Sequence, residues 1–298
     1  IHVGACQKIA RLDLGMTQCK LVDFAGTTSS AKISGDIDLL SLQENLAGDL
    51  ALCGAIACIE VSGKIEANSS LIATAAIGEI NLMGMGECAK IKSTADIGSI
   101  SILGAVASEE QPAEILTEGQ LGSLTITKAL HAHVKIMKTF GTLTSMGSAG
   151  VTGSLTAASL DSLVIGGKLS ANVHILGDAQ QILVTGNIQC QQPMLIGGDL
   201  TQITSGAELT CDIEVGGSLG QLKARKKFTG LLQVDKAVGQ LGVIDGDKTS
   251  SKNYQSPTKF SYDGRLEKSK PEQKSAVHKK TIEFVQTVAS PSQAKVRA

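Results

Sequence analysis

Residues 160–178 read LDSLVIGGKLSANVHILGD, a skeleton of Leu-x-x-Leu-x-Ile-x-Gly-x-Leu-x-Ala-x-Val-x-Ile. Apolar residues alternate in the short runs Leu163-x-Ile165, Leu169-x-Ala171 and Val173-x-Ile175, which is the period of a strand and not of a helix. Gly, Ser, Asn and Asp separate the runs, with Gly167 marking a bend. The stretch therefore encodes three short strands and three bends, one turn of a coil.

The same skeleton recurs through most of the chain. Copies begin at Met16, Ile37, Ile56, Ile77, Ile97, Leu121, Phe140, Leu160, Ala179, Leu200, Leu219 and Val238. Their spacings are 21, 19, 21, 20, 24, 19, 20, 19, 21, 19 and 19 residues. A repeat of about twenty residues, each copy one supersecondary unit, is a solenoid signature. If each strand pairs in parallel with its equivalent one coil away, twelve coils at the strand spacing of about 4.8 Å make a rod roughly 55–60 Å long. The expected fold is all-β: a single-stranded parallel β-helix of triangular section, about 12 coils of 19–21 residues. Parallel-crossover chirality favours the right hand.

Two features qualify the coils. Eleven residues after each start stand Thr27, Gly48, Ala67, Cys88, Ser108, Ala132, Val151, Ala171, Cys190, Cys211 and Gly230, all small except Val151. A tight interior bend beside a filled core requires small side chains. The long spacing after Ile97 implies an insertion in SEEQPAE, where Glu109, Glu110, Glu114 and Glu118 surround Pro112 and predict an exposed loop. Residues 1–15 alternate like part of an earlier coil, whose strand edges would be bare. The chain opens at Ile1 rather than Met, which leads to the expectation that something upstream was removed or never included.

Composition divides the chain near Asp247. Residues 1–247 carry 16 Lys and Arg against 24 Asp and Glu, whereas 248–298 carry 11 against 4. The last segment also holds three of the five prolines and both tyrosines. Its polar, basic, proline-containing sequence predicts a flexible C-terminal tail, with a short helix over 277–289 that forms against a partner. The domain reading is thus a partial coil at 1–15, a solenoid at 16–247 and a tail at 248–298. No apolar run reaches the roughly 18 residues of a membrane span, and no signal-peptide pattern occurs.

Candidate chemistry is sparse. The seven cysteines form no CxxC or Cys/His zinc spacing. Cys190 and Cys211 would stack one coil apart, but parallel side chains at that separation exceed the Cβ distance a disulfide prefers. The cysteines are therefore read as small hydrophobes. His131 and His133 share one side of a strand, and His174 takes an outward place like that of Lys135; without a carboxylate beside them they read as surface residues rather than a metal site. The acidic stretch 109–118 lacks calcium-loop spacing. There is no phosphate loop and no dinucleotide fingerprint, because every GG and GxG falls at a bend. An ice-binding face would need recurring Thr-x-Thr, and LTIT at 124–127 is not repeated in register. Neither catalytic, cofactor nor metal residues are assigned, and the chain is expected not to be an enzyme.

The one concentration of charge lies in LKARKKF, where Lys223, Arg225, Lys226 and Lys227 precede the basic tail with its Lys279 and Lys280. These six residues are the candidate partner-binding set. Their charge suits an anionic membrane or an acidic partner and includes no pattern for specific nucleic-acid recognition. A rod acidic along its body and basic at one end also suits head-to-tail self-association.

The phrases SGDIDL (34–39), AGDLAL (47–52), SGKIEA (62–67), TGNIQC (185–190) and GGDLTQ (197–202) resemble the repeats of bactofilins, bacterial cytoskeletal proteins. That resemblance covers 16–247 as a repeat style, with about twice the usual number of coils. It implies a right-handed β-helical core, flexible tails, nucleotide-independent polymerisation through the ends and a cytoplasmic location. The alternative is an exported surface protein or adhesin rod, a fragment of a larger repeat protein, placed at the cell surface if a signal peptide has been removed. A polysaccharide-acting β-helix enzyme comes a distant third.

Overall fold

The computed structural model describes residues 1–3, 12–14, 18–25, 30–148, 150–245, 248–249, 252–253, 260–263 and 266–267. Among these there is no helix. The chain winds as a parallel β-solenoid of about twelve turns with three faces.

On the first face, strands beginning at Cys19, Ile37, Ile56, Ile77, Ile97, Leu121, Phe140, Leu160, Ala179, Leu200, Leu219 and Val238 pair in parallel, each start opposite the next. Eleven of the twelve starts read from the sequence stand in this ladder. The first does not. Cys19, rather than Met16, faces Ile37, because Cys19, Val22 and Phe24 supply the inward triad, while the alternative frame would send the exposed Leu21 inward. An earlier turn is visible where His2–Val3 pairs with Asp23 and Phe24, and Leu12–Asp13 with Ile33 and Ser34.

First-face strands bury their first, fourth and sixth residues, as in Ile97–Ile102, Leu121–Ile126, Ala179–Val184, Leu200–Ser205 and Leu219–Ala224. The second face is narrow, a column of pairings from Leu46 through Ile65, Met85, Val106, Leu130, Val151, Leu169, Ile188 and Leu209 to Phe228. The third face stacks three- to five-residue strands such as Asp49–Cys53, Lys90–Ser93, Asn172–Ile175 and Ile213–Val215. The core is accordingly a set of aliphatic columns, with Phe140 and Phe228 its largest fully buried side chains. Burying each Leu, Ile or Val contributes about 1.5–3 kcal/mol.

The corners explain the recurring Gly-Asp and Gly-Asn phrases. Asp36, Asn45, Asp96, Asp178, Asn187, Asp199 and Asp212 each stand immediately before an inward apolar residue. Their Oδ1 atoms accept the backbone N–H of Ala55, Lys64, Gln120, Asp199, Glu208, Ser218 and Leu231, one coil on, at 2.7–3.1 Å. Every acceptor thus satisfies an amide that the bend has taken out of the ladder. Inward polar residues at other corners are satisfied too: Thr117 donates to the carbonyl of Ala95 at 2.7 Å and Ser205 to that of Gly186 at 3.1 Å.

The small-residue column is not what the even spacing implied. Val151, its one large member, pairs with Leu130 and Leu169 instead, and Gly153 occupies the slot opposite Ala132. The bend between the second and third faces takes four residues from Leu46 to Leu50 but six from Ile65 to Leu71 and from Met85 to Ile91, and nine from Val106 to Ile115. In the longer bends the buried small residues are Ser69, Ala89 and Ala113. Cys88 is displaced into a turn closed by the Ala89 N–H on the Gly86 carbonyl, with φ of +54°. Thr27 lies outside the described residues. Likewise the acidic loop is shorter than expected, since Glu114 sits on strand Ala113–Thr117 and pairs with Lys92 at 3.3 Å and Lys90 at 3.5 Å.

Parallel pairing ends with the strand Val238–Asp245. Beyond it, four short strands pair antiparallel with the last coil. Lys248–Thr249 folds back on Ile244 and Asp245, and Lys252–Asn253 runs along Gln240 and Leu241 on the first face. Phe260–Asp263 runs along Leu231–Val234 on the third face, and Leu266–Glu267 along Lys227–Phe228 on the second. The composition break near Asp247 therefore marks the end of the repeat, with paired strands beyond it. The helix expected at 277–289 lies outside the described residues.

Candidate interaction surfaces

The basic run is brought together by the eleventh coil. Lys223 lies on Leu219–Ala224 between inward Leu222 and Ala224, so it points outward, half-buried, next to Thr204 in the ladder. At the following corner the N–H of Arg225 donates to the Ser205 carbonyl and that of Lys226 to the Ala207 carbonyl, both at 3.0 Å, leaving both side chains exposed. Lys227 stands opposite Glu208 of the preceding coil and Glu267 of the antiparallel strand. Lys223, Arg225, Lys226 and Lys227 thus form one continuous edge beside the closing strands, with Glu208 and Glu267 in register with its last member. Lys279 and Lys280 lie outside the described residues.

The histidines belong to a face of hydroxyls. His131 and His133 flank buried Ala132 and meet Thr152 Oγ1 and Ser154 Oγ on the next coil at 2.7 and 2.9 Å through Nδ1. His174 is exposed and aligns with Thr156, which aligns in turn with Lys135. Among the described residues no group of three or more His, Cys, Asp or Glu is placed to hold a metal ion.

Open grooves occur among the described residues. One of about 550 Å³ runs over Asn45, Lys64, Met83, Glu87 and Lys128 with a floor of Gly63, Gly84, Gly86 and Gly104. The other, of about 220 Å³, lies among His174, Leu195, Glu214, Gln233 and Asp235. Both are shallow, lined by outward strand positions and bends.

Sequence reasoning missed two arrangements. On the first face Ser99, Ser123, Thr142 and Ser162 align in one outward column, and Ser101, Thr125 and Thr144 in a second. The signal was present as Ser/Thr at the third and fifth residues of successive copies, whereas LTIT drew attention to Thr127, which lies at the corner rather than in either column. The second is the relation between Cys190 and Cys211. The neighbouring Cys190 thiol and then burial push the Cys211 thiol far up. The same contact pulls the Cys190 thiol below its ordinary value against the opposing effect of burial. Cys58 is pushed up, chiefly by burial and then by the charges of Glu60 and Glu79.

No family model, curated protein or solved structure matches this chain.

Proposed function

We propose that this chain is a non-enzymatic structural or scaffold protein, a rod that self-associates through its coil ends. The observation that carries the reading is the register of the first face: because each coil is held by the next in the same way from Cys19 to Val238, the leading edge of one rod is complementary to the trailing edge of another. Strand addition of this kind needs no nucleotide or metal. The repeat phrases that resemble bactofilins support the same role, and the Gly-Asp elements in them are the corner acceptors that lock coil to coil. The edge formed by Lys223, Arg225, Lys226 and Lys227 is assigned to an acidic neighbour: the acidic body of another rod, or an anionic membrane.

A second reading, an exported surface or adhesin rod, is favoured by the aligned hydroxyl columns at Ser99, Ser123, Thr142 and Ser162, which give the first face a regular polar surface.

The test is particle length and mass, by electron microscopy and light scattering, of the purified chain without nucleotide across concentration and ionic strength. Rods joined end to end, with lengths that shorten as salt rises, are expected. Isolated rods at every concentration and salt, with or without the closing strands described above, contradict the self-association reading.

A further inference from the structure

We propose that the four strands Lys248–Thr249, Lys252–Asn253, Phe260–Asp263 and Leu266–Glu267 form a displaceable cap over the end at which a second copy would otherwise stack. The inference rests on the end-to-end reading above and adds its regulation.

The geometry is that of a coil wound backwards. After Asp245 the chain reverses, with Asp245 opposite Lys248 and Ile244 opposite Thr249. It then passes the first face at Lys252–Asn253, the third at Phe260–Asp263 and the second at Leu266–Glu267. Upstream coils visit the faces in the order first, second, third; the closing segment visits them in the opposite order. All four of its pairings are antiparallel, whereas each coil-to-coil pairing before it is parallel.

Such a segment does two things. It satisfies N–H and C=O groups on the last strand of every face, the groups that otherwise template association. It also ends the ladder, as the terminal repeats of solenoids do. A second rod stacking head to tail would present its first coil in parallel to those same strands, so cap and second copy compete for one edge.

The hold is limited. Ten residue pairs in four short pieces join the cap strands to the last coil, against thirteen between Leu130–Ser145 and Val151–Ile165. The sequences KN, FSYD and LE also lack the inward triad with which each coil covers the core of its neighbour. An incoming coil carries that triad. The exchange therefore replaces a short polar-patterned pairing with a full coil contact, and displacement of the cap sets whether this end grows.

The experiment uses the full chain and a full-chain variant, Ser261→Pro with Tyr262→Pro. Adjacent residues of a strand aim their amides to opposite sides, so the two prolines remove a donor aimed at Leu231–Val234 whichever residue bears it. Far-UV circular dichroism and the resistance of buried Cys211 to alkylation report that the coils remain folded. A chain ending at Asp245 is the second variant should the prolines perturb the last coil. Mean particle length in electron micrographs is the readout. The variants are expected to join into rods longer than the unsubstituted chain forms under the same conditions. If full chain and variants join to the same lengths, the cap inference is overturned while self-association stands. If none of them joins, the end-to-end reading falls, and the cap inference with it.

Discussion

Asp178 and Asp199 are linked in series: Asp178 Oδ1 accepts the backbone N–H of Asp199 at 2.8 Å, and Asp199 Oδ1 accepts that of Ser218 one coil further at 2.7 Å. The same contacts explain the glycines that precede the two donors, Asp199 and Ser218. A Cβ on Gly198 would lie 2.1 Å from Asp178 Oδ1, and one on Gly217 2.1 Å from Asp199 Oδ1. Carboxylate and glycine are one device at this corner, an acceptor and the space it occupies.

Replacing Asp199 with Ala is expected to lower the stability of the C-terminal coils by about 0.5–1.5 kcal/mol, the net range of a typical hydrogen bond, since the carboxylate is exposed. Asp199→Asn keeps the oxygen and should retain most of it. Gly217→Ala displaces the same oxygen and also meets the Gly198 carbonyl at 2.6 Å, so only part of its loss should be shared with Asp199→Ala in a double-mutant cycle read by urea unfolding. Additive losses would show that the two residues do not act together.

Cys88 holds φ of +54°, and Asn68 takes φ of +59° in the equivalent turn one coil earlier. A Cβ-bearing residue in the left-handed region carries about 1–2 kcal/mol of strain, which Asn tolerates and Gly avoids. Cys88→Gly or Cys88→Asn should therefore raise the unfolding midpoint, and Cys88→Val should lower it. An unchanged midpoint in all three would contradict the strain.

Thiol reactivity should separate the cysteines by pH, because the thiolate is the nucleophile. Cys190, lowered by its hydrogen bond with Cys211, should begin to react with iodoacetamide at lower pH than Cys58, which burial and two glutamates raise. Cys211 should resist alkylation until the coils unfold. Cys211→Ala should shift the Cys190 profile upward; mass spectrometry of alkylated peptides that found no shift would remove Cys211 as the cause.

Phe140 fills a start position held elsewhere by Ile, Leu, Val, Ala or Cys, and is fully buried. Phe140→Ala should cost about 3–5 kcal/mol, and Phe140→Leu, close in volume and native to neighbouring Leu121 and Leu160, less than about 1.5 kcal/mol. Since each coil contacts only its neighbours, hydrogen exchange should rise first in the coils around Phe140. Uniform loosening from end to end would argue against that locality.

The repeat was legible because its signal is inward: Ile100, Leu124, Leu143 and Leu163 stand in one column and leave the same mark in every copy. Where the mark is weak the frame slipped, as at Cys19. Bend length left no such mark, since Ser69, Ala89 and Ala113 fill one slot at different distances from their starts. The closing strands were illegible because they are two to four residues long and polar, a composition that reads as tail. The edge formed by Lys223, Arg225, Lys226 and Lys227 was visible as charge, but its acidic neighbours Glu208 and Glu267 follow only from register. The thiol pair was set aside on the assumption of ideal stacking. The coil that carries Cys190 takes six residues from Ile188 to Met194, where the next takes four from Leu209 to Ile213.

The most direct test of the account is electron cryomicroscopy of assemblies grown without nucleotide from the full chain and from the Ser261→Pro, Tyr262→Pro variant. End-to-end stacking predicts a meridional spacing of about 4.8 Å that runs unbroken across subunit junctions, with a subunit repeat of about 6 nm. Isolated rods of about 6 nm in both preparations, or assemblies joined side to side, would contradict it.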